Sequence, residues 1–369
     1  MKKKILIAFG TRPEALKFVP LITALRNSKD FKCYICLTGQ HRQMLHQVID
    51  FFNIPIDANL GLMKANQTLE YTSGKVFSNF GKIIQSIKPD MVFVQGDTAT
   101  ALMVGISSFY ARVPVAHLEA GLRTWNKFNP FPEEMNRQLI SRLADYHFTP
   151  TKQATQNLVR EGIFRRSIFQ VGNPVVDTIK IAAPLVKQKY PIFNFLNSHK
   201  RIIFVTAHRR ESFGEGLKEI FQALKIIIQF HSDVQIVYPV HLNPKVLKSA
   251  QKILGRISRI HLLRPLSYGE TIWMMKKCYL ILTDSGGIQE EAPTFGKPVL
   301  VLRDVTERSE GVKAGIAILT GVRKNEIIRQ TRRLLNSPKL YRSMTGTKNP
   351  YGDGLSSRRI LTHLKHILK

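Results

Sequence analysis

Three acidic residues in the first half of the chain stand where elements of an α/β fold would end or begin. Asp97 follows the apolar run 91–95, Glu119 follows the run 113–118, and Glu133 comes after a proline-rich loop, at an expected helix start. Ligands of open parallel sheets bind beyond the carboxyl ends of the strands, and carboxylates there suit general acid–base catalysis. The pattern predicts proton transfer at this edge, although Glu133 would also serve simply to stabilise its own helix.

The turn Thr-Asp-Ser-Gly-Gly, which follows the apolar run Leu-Ile-Leu, predicts an anion site later in the chain. Ser285, Gly286 and Gly287 lie between an expected strand and an expected helix. Glycine lets a ligand approach the backbone closely, and the start of a helix presents unpaired N–H groups. Glu290 and Glu291 are expected in the first turn of that helix, either to accept hydrogen bonds from sugar hydroxyls or to complement the helix dipole.

Four cationic side chains at similar positions would suit a polyphosphate. Arg12 and Lys17 flank the start of a helix predicted over 15–25, where the helix dipole disfavours positive charge unless an anion is bound nearby. His208 follows a predicted strand and precedes two arginines, a pattern that favours a phosphate grip. Arg308 lies in a polar cluster after another predicted strand. Together these residues predict a diphosphate ligand.

Short apolar runs alternate with amphipathic segments along both halves of the chain. This alternation predicts βαβ units, parallel sheets and right-handed crossovers. It pauses near 171–174 and resumes after a polar stretch at 187–200. We therefore expect a Rossmann-like domain over 1–171 and a second one over 172–369. The sequence leaves open whether the last helix, about 352–369, packs back on the first domain.

Composition narrows the class of protein. The chain has 369 residues, of which 44% are hydrophobic, so two globular cores are expected. Lys and Arg number 55 against 26 Asp and Glu, a formal charge of +29 that is spread along the chain without an aromatic-interleaved basic ribbon. This distribution favours attraction of anionic substrates over nucleic-acid binding. Three cysteines are too few for a disulfide framework, and we see neither a full secretion signal nor a membrane span, so we expect a cytoplasmic protein.

Two common nucleotide motifs are missing from the sequence. No G-x-G-x-x-G occurs, and no G-x-x-x-x-G-K-[ST] occurs either, because Gly296-Lys297 is followed by Pro298. Bound nicotinamide and P-loop ATP chemistry therefore lose their best support. Cations for a diphosphate and carboxylates at separate strand or helix ends favour acid–base work on a nucleotide sugar.

Ten ordered segments carry a resemblance that covers the whole chain. They are GTRPEALK (10–17), TGQHRQML (38–45), GDT (96–98), HLEAGLRT (117–124), PFPEEMNR (130–137), HRRESFG (208–214), YPVHLNP (238–244), DSGGIQEEAP (284–293), TER (306–308) and NPYGDG (349–354). The chain resembles the non-hydrolysing UDP-N-acetylglucosamine 2-epimerases. The resemblance implies a glycosyltransferase-B type α/β fold, in which two Rossmann-like domains face a central cleft.

The resemblance also implies an activity and a set of roles. The family interconverts UDP-N-acetylglucosamine and UDP-N-acetylmannosamine through UDP elimination, a 2-acetamidoglucal and re-addition of UDP, with no cofactor and no metal. We expect the chain to do this for bacterial surface polysaccharide, as a homodimer. The implied roles are proton handling by Asp97, Glu119 and Glu133, their positioning by Lys17 and Arg137, a leaving-group grip by Arg12, His208, Ser285, Gly286, Gly287 and Arg308, and ribose binding by Glu291.

A regulatory pocket is implied as well. In the family, motifs matching Gln40, His41 and Arg42 of the first domain and Arg210 and His241 of the second form another pocket for UDP-N-acetylglucosamine. Binding there activates turnover of UDP-N-acetylmannosamine. The alternative is that these five are ordinary polar residues at strand ends.

Some positions depart from the family pattern, and other functions stay open. Ser309 stands where proline is usual, Gln43 where glutamate is common, and Thr271 where some members have an aromatic residue. These changes bear on affinity more than on reaction type. A hydrolysing epimerase that releases free N-acetylmannosamine, another transferase of this fold and a non-catalytic nucleotide-sugar sensor are the competing functions.

Overall fold

The computed structural model describes residues 1–39, 42–62, 68–207, 209 and 214–369, without the side chains of 42–44. The chain forms two compact units. The first comprises Met1–Ile181 with Tyr351–Lys369, and the second comprises Ala182–Pro350. No helix in these described ranges is long and apolar enough to cross a membrane.

The first unit is a parallel sheet flanked by helices. Its elements are β1 (Lys3–Phe9), α1 (Arg12–Arg26), β2 (Phe31–Leu37), α2 (Arg42–Phe51), β3 (Ala58–Asn59), α3 (Leu69–Ile87), β4 (Met91–Gln95), α4 (Ala99–Tyr110), β5 (Val115–Leu118), α5 (Glu133–Leu143), β6 (Tyr146–Thr149), α6 (Lys152–Arg160), β7 (Ile168–Gln170), the start of α7 (Pro174–Leu185) and the last helix, α15 (Ser356–Ile367). The strand order is β3-β2-β1-β4-β5-β6-β7.

The second unit repeats this plan. Its elements are β8 (Arg201–Thr206), α8 (Glu215–Phe230), β9 (Val234–Pro239), α9 (Pro244–Leu254), β10 (Ile260–Leu263), α10 (Tyr268–Lys277), β11 (Leu280–Thr283), α11 (Gly286–Glu291), β12 (Val299–Val301), α12 (Ser309–Lys313), β13 (Ala317–Leu319), α13 (Lys324–Asn336) and α14 (Pro338–Thr345). The strand order is β10-β9-β8-β11-β12-β13, and the two sheets together confirm the predicted pair of Rossmann-like α/β units.

Burial explains why the strands read as continuous apolar runs. All five residues of β4 and all four of β11 are buried, as expected for parallel strands covered by helices on both faces. The described strands of both units pair in parallel along the whole order. Each unit therefore has its own hydrophobic core, and polar groups collect where the strands end.

The strand orders place a switch point in each unit. The chain runs outward from β1 through β2 to β3, then returns to β4 beside β1 and runs the other way. In the second unit β8 and β11 are the corresponding neighbours. Ligands of open α/β sheets bind in the crevice beyond the carboxyl ends of the strands at such a point. The loops after β1 and β4 in the first unit and the loops after β8 and β11 in the second are therefore candidate sites, one in each unit.

The last helix belongs to the first unit. The Asp177 carboxylate in α7 accepts hydrogen bonds from the backbone N–H groups of Ser356 and Ser357, at 3.2 and 2.9 Å. Lys365 near the chain end pairs with Asp30 at 2.7 Å. The sequence predicts a division at 171, whereas the units divide at 181, because the start of α7 holds α15 in place.

Candidate active site

Glu14 joins the two loops at the switch point of the first unit. Its carboxylate accepts hydrogen bonds from the backbone N–H groups of Gly10 (3.0 Å) and Thr11 (2.7 Å), and from the Thr98 hydroxyl (2.8 Å). Burial raises the pKa of Glu14, while these hydrogen bonds lower it in part. Glu14 was not predicted as a site residue. The signal that could have indicated it is the capping box Thr-x-x-Glu at the start of α1.

The start of α1 differs from the prediction. The helix begins at Arg12 rather than at Ala15, with Pro13 in its first turn. Arg12 is therefore a half-buried residue of the helix itself and not part of the loop before it. The fixed φ of Pro13 and the capping box both favour this earlier start.

The backbone around Asp97 is held on several sides. Gly96 has a φ of 68°, a left-handed conformation that suits glycine. Its carbonyl lies 2.8 Å from Nε2 of His117, and the Asn136 side chain donates to the carbonyl of Asp97 at 2.8 Å. Burial lowers the pKa of His117 to about 3, so the ring is neutral and its Nε2–H can donate to Gly96.

The Asp97 carboxylate is partly exposed, and its pKa is raised. Its side chain is 31% exposed, and Oδ2 lies 3.4 Å from Nη1 of Arg137. Burial raises the pKa of Asp97 to about 6; Arg137 and Lys17 oppose the shift, whereas the negative charges of Glu119 and Glu133 add to it. A carboxyl group poised near neutrality and open to solvent is suited to proton transfer.

Glu119 is held more tightly than Asp97. Its φ is 63°, a conformation uncommon outside glycine. Nζ of Lys17 lies 2.5 Å from Oε1 of Glu119, and the side-chain amide of Gln95 donates to Oε2. The place of Lys17 near a helix start suggests a phosphate partner, whereas the family resemblance implies that Lys17 positions the carboxylates, and the structure pairs it with Glu119. The sequence reading also missed Gln95, which looks like one more strand residue of β4.

Glu133 and Glu134 at the start of α5 have different surroundings. Glu133 is partly exposed, whereas Glu134 is buried and accepts a hydrogen bond from the backbone N–H of Thr124 at 2.9 Å. Glu134 also lies 3.1 Å from Arg137. The structure thus pairs Lys17 with Glu119 and Arg137 with Asp97 by direct contact, and it puts Glu119, Lys17 and Glu133 near enough to Asp97 to shift its pKa.

The switch point of the second unit is built around Arg308. Its Nε lies 2.9 Å from Oε1 of Glu290, and its Nη1 lies 3.6 Å from Glu307. A Cβ added to Gly286 would lie 3.2 Å from the guanidinium carbon of Arg308, so glycine makes room for this side chain. Ser285 precedes α11 and donates its backbone N–H to the Thr283 hydroxyl at 2.9 Å.

The two glutamates of α11 are not in its first turn as predicted. The helix runs only from Gly286 to Glu291, so both glutamates lie at its C-terminal end, where a negative charge gains nothing from the helix dipole. Glu290 is only 4% exposed and is committed to Arg308. Glu291 is also buried. Glu290 therefore positions a cation instead of serving as a free acceptor for sugar hydroxyls.

Further hydrogen bonds fix the loops around Arg308. The Thr306 hydroxyl donates to Oε1 of Gln289 at 2.8 Å and accepts from the backbone N–H of Arg308 at 3.1 Å. After β8, the backbone N–H of Arg209 donates to the Asp284 carboxylate at 2.8 Å. These contacts tie the loop after β12 to α11 and the loop after β8 to the end of β11.

Several predicted residues lie outside the described part of the chain. They are Gln40, His41, His208 and Arg210, together with the side chain of Arg42. His241 is described: it is exposed, and its Nδ1 accepts a hydrogen bond from the backbone N–H of Asn243 at 3.1 Å. Within the described ranges, no cluster of three or more His, Cys, Asp or Glu side chains is arranged to hold a metal ion.

Comparison with known proteins gives a consistent result. Residues 23–365 match the sequence model of a family described as UDP-N-acetylglucosamine 2-epimerase. A protein of that name from Campylobacter jejuni is 46% identical, with 99% of this chain and 98% of that protein covered. The structure of UDP-GlcNAc 2-epimerase from Neisseria meningitidis bound to UDP-GlcNAc has a TM-score of 0.92 and 40% identity, covering 98% and 100%. An S. aureus MnaA–UDP co-structure has a TM-score of 0.90 and 45% identity, covering 99% and 97%.

Proposed function

The chain belongs to the UDP-N-acetylglucosamine 2-epimerase family, and from this premise we propose that it interconverts UDP-N-acetylglucosamine and UDP-N-acetylmannosamine. The observation that carries the proposal is the group formed by Asp97, Glu119, Lys17 and Arg137 at the switch point of the first unit. It is a pair of carboxylates, each of which lies beside a cation that the fold holds in place. A nucleotide-sugar binder that does no chemistry has no use for such a set.

The second unit supplies the means to stabilise the leaving group. In the first step the bond between carbon 1 and the diphosphate oxygen breaks, and the electron pair leaves with UDP. Negative charge develops on the diphosphate, and a preorganised cation stabilises it. Arg308, fixed by Glu290 at 2.9 Å, is suited to this role, together with backbone N–H groups at Ser285, Gly286 and Gly287. Arg12 and His208 are assigned to the same grip, and Glu291 to the ribose.

The first unit supplies the proton transfer. A proton leaves carbon 2, and its bonding electrons form the double bond of 2-acetamidoglucal. Asp97 is suited to accept this proton because its carboxyl is partly exposed and its pKa is about 6. A proton is then delivered to the opposite face of carbon 2, and UDP adds back to carbon 1. Glu133 is the candidate to deliver that proton, and Glu119 is the third carboxylate of the set, beside Asp97. The net reaction changes no oxidation state, so it requires no redox cofactor.

We also propose that the protein is a homodimer. Phe77, Phe109 and Tyr110, on α3 and α4, are 39%, 59% and 69% exposed, and the rings of Phe77 and Tyr110 lie 5.7 Å apart. An exposed aromatic cluster of this kind is typical of a surface that a second copy covers. Light scattering should give the mass of a dimer, and Tyr110→Lys should give a monomer. A monomeric wild-type protein would exclude this assembly.

Two further assignments follow from the proposed reaction. We place the enzyme in the cytoplasm, and we assign its product to bacterial surface polysaccharide. Three free cysteines, of which Cys36 and Cys278 are buried, fit a reducing compartment.

The proposed regulatory pocket of Gln40, His41, Arg42, Arg210 and His241 calls for its own kinetic test. A lag with pure UDP-N-acetylmannosamine that traces of UDP-N-acetylglucosamine abolish is the expected result, and full initial rate would exclude it.

Product analysis tests the proposed function. Purified protein is incubated with UDP-N-acetylglucosamine, and the products are separated and identified by NMR. We expect UDP-N-acetylmannosamine to accumulate to an equilibrium that is also reached from the other epimer. Accumulation of UDP with free N-acetylmannosamine would instead establish a hydrolysing enzyme, and binding without any turnover would establish a sensor.

A further inference from the structure

Gln95 and Glu119 form a buried contact beside Asp97. Gln95 is the last residue of β4 and is 3% exposed, and Glu119, directly after β5, is 7% exposed. The two strands pair in parallel, with Gln95 opposite Leu118. This register puts the Gln95 amide against the Glu119 carboxylate and leaves Gly96 as the single residue between Gln95 and Asp97.

Each oxygen of Glu119 has its own donor. Oε1 receives Nζ of Lys17 at 2.5 Å, and Oε2 receives Nε2 of Gln95. Hydrogen bonds to both oxygens favour the charged form of a buried carboxylate. Asp97 differs, because its carboxylate lies 3.4 Å from Arg137 and its side chain is 31% exposed. The two carboxylates are therefore built for different tasks.

We propose that Gln95 is a positioning residue that holds the Glu119 carboxylate in a fixed place beside Asp97. Glu119 then acts through its negative charge, and Asp97 is the member of the pair that gains and loses the proton. The inference rests on the proposed epimerase function, because it divides the tasks between two carboxylates of that reaction.

The charges around the pair support this division. Lys17 faces it from α1, and Glu133 and Arg137 face it from α5. The negative charge of Glu119 is one of the causes that raise the pKa of Asp97, after burial. Loss of the Gln95 donor would leave Oε2 of Glu119 buried without its hydrogen bond, so the carboxylate would no longer be held in place beside Asp97. Its contribution to the raised pKa of Asp97 would then weaken.

The test compares Gln95→Leu with Gln95→His and a matched control. Gln95→Leu keeps the volume but removes the donor, whereas Gln95→His keeps an N–H at the same strand position. Gln235→Leu is the control, because Gln235 is 2% exposed in β9 of the other unit and its amide donates to the carbonyl of Asn197 at 2.8 Å. The readouts are kcat, KM for UDP-N-acetylglucosamine and the pH dependence of kcat/KM.

The expected results separate positioning from folding. Gln95→Leu should lower kcat by about 10- to 100-fold with little change in KM, and move the acid limb of kcat/KM to lower pH, because the Glu119 charge that helps to raise the pKa of Asp97 is no longer held beside it. Gln95→His should recover most of both effects. Gln235→Leu should change the unfolding temperature while leaving kcat and the acid limb unchanged.

Two outcomes would overturn parts of the account separately. A folded Gln95→Leu variant with the kcat and acid limb of the wild type overturns the positioning role. If Gln95→Leu does not fold, Gln95→His decides. A folded Gln95→His variant that shows the full loss of kcat and the full shift of the acid limb expected for Gln95→Leu also overturns the role. A wild-type protein that gives no UDP-N-acetylmannosamine overturns the proposed function itself. The wild-type assay is therefore read first.

Discussion

The two switch points use charge in opposite ways. In the first unit two cations hold carboxylates: Lys17 contacts Glu119 at 2.5 Å, and Arg137 lies 3.4 Å from Asp97. In the second unit a carboxylate holds a cation, since Glu290 contacts Arg308 at 2.9 Å. The first arrangement presents controlled negative charge, which suits proton transfer. The second presents controlled positive charge, which suits a leaving diphosphate.

This difference teaches how to read charges at strand ends. The place near an expected helix start suggests a phosphate partner for Lys17 and sugar hydroxyls for Glu290, whereas the family resemblance places Lys17 beside the carboxylates. In the structure each contacts an opposite charge of its own unit. A charge near a ligand site thus often serves to fix another charge, and its partner decides which task it has.

The largest expected effect breaks the first arrangement. Asp97→Asn keeps the shape of the side chain and removes the base, so kcat/KM should fall by about 10³-fold. UDP affinity, measured by calorimetry, should stay close to that of the wild type, because Asp97 is not among the residues assigned to the diphosphate grip. An unchanged rate would clear Asp97 of any part in proton transfer.

The next-largest effect is expected at Arg308 in the second unit. Arg308→Ala removes the cation that Glu290 holds, so kcat/KM should fall by about 10²-fold, a typical loss for one charge-stabilising donor. Here UDP affinity should fall as well, in contrast to Asp97→Asn. Kinetics and UDP titration on the same preparation give both values, and unaltered UDP binding would show that Arg308 contacts something other than the diphosphate.

A smaller effect is expected at Glu290, the residue that holds Arg308 in place. Glu290→Gln should lower kcat/KM by about 10-fold, because Arg308 stays charged but loses its ion-pair partner. Glu307→Gln is the matched control, since Glu307 lies 3.6 Å from Arg308 and pairs at 2.8 Å with Arg303. We expect its effect on turnover to be clearly smaller. Equal losses in the two variants would mean that Glu290 has no special role.

The smallest effect concerns stability. Because folding raises the pKa of Asp97 from 3.8 to about 6, the folded state binds more protons than the unfolded state between those values. The ionised side chain therefore costs stability above about pH 6, and Asp97→Asn should be more stable than the wild type at about pH 8, by roughly 2 kcal/mol. The advantage should vanish below about pH 4, as measured by urea unfolding. A less stable variant at about pH 8 would contradict the raised pKa.

Some of this could be predicted from the sequence. Apolar runs that end in polar clusters predicted both Rossmann-like units, which the structure confirms, and placed Asp97, Glu119 and the Ser-Gly-Gly turn at strand ends. The contact of Gln95 with Glu119 could not be predicted, because it depends on the register of β4 against β5. Nor could the short α11, whose start at Gly286 moves both glutamates to its far end. Hydrogen bonds between loops have no periodic signal in a sequence.

Deuterium exchange from solvent is the sharpest test of proton transfer at carbon 2 by Asp97. Wild-type protein and Asp97→Asn are each incubated with UDP-N-acetylglucosamine in deuterated water, and carbon 2 is followed by NMR. We predict that the wild type introduces deuterium at carbon 2 of a sugar that is recovered still linked to UDP. Asp97→Asn should do so about 10³-fold more slowly. Epimerisation with no deuterium at carbon 2, or equal exchange by the variant, would contradict proton transfer by the first unit.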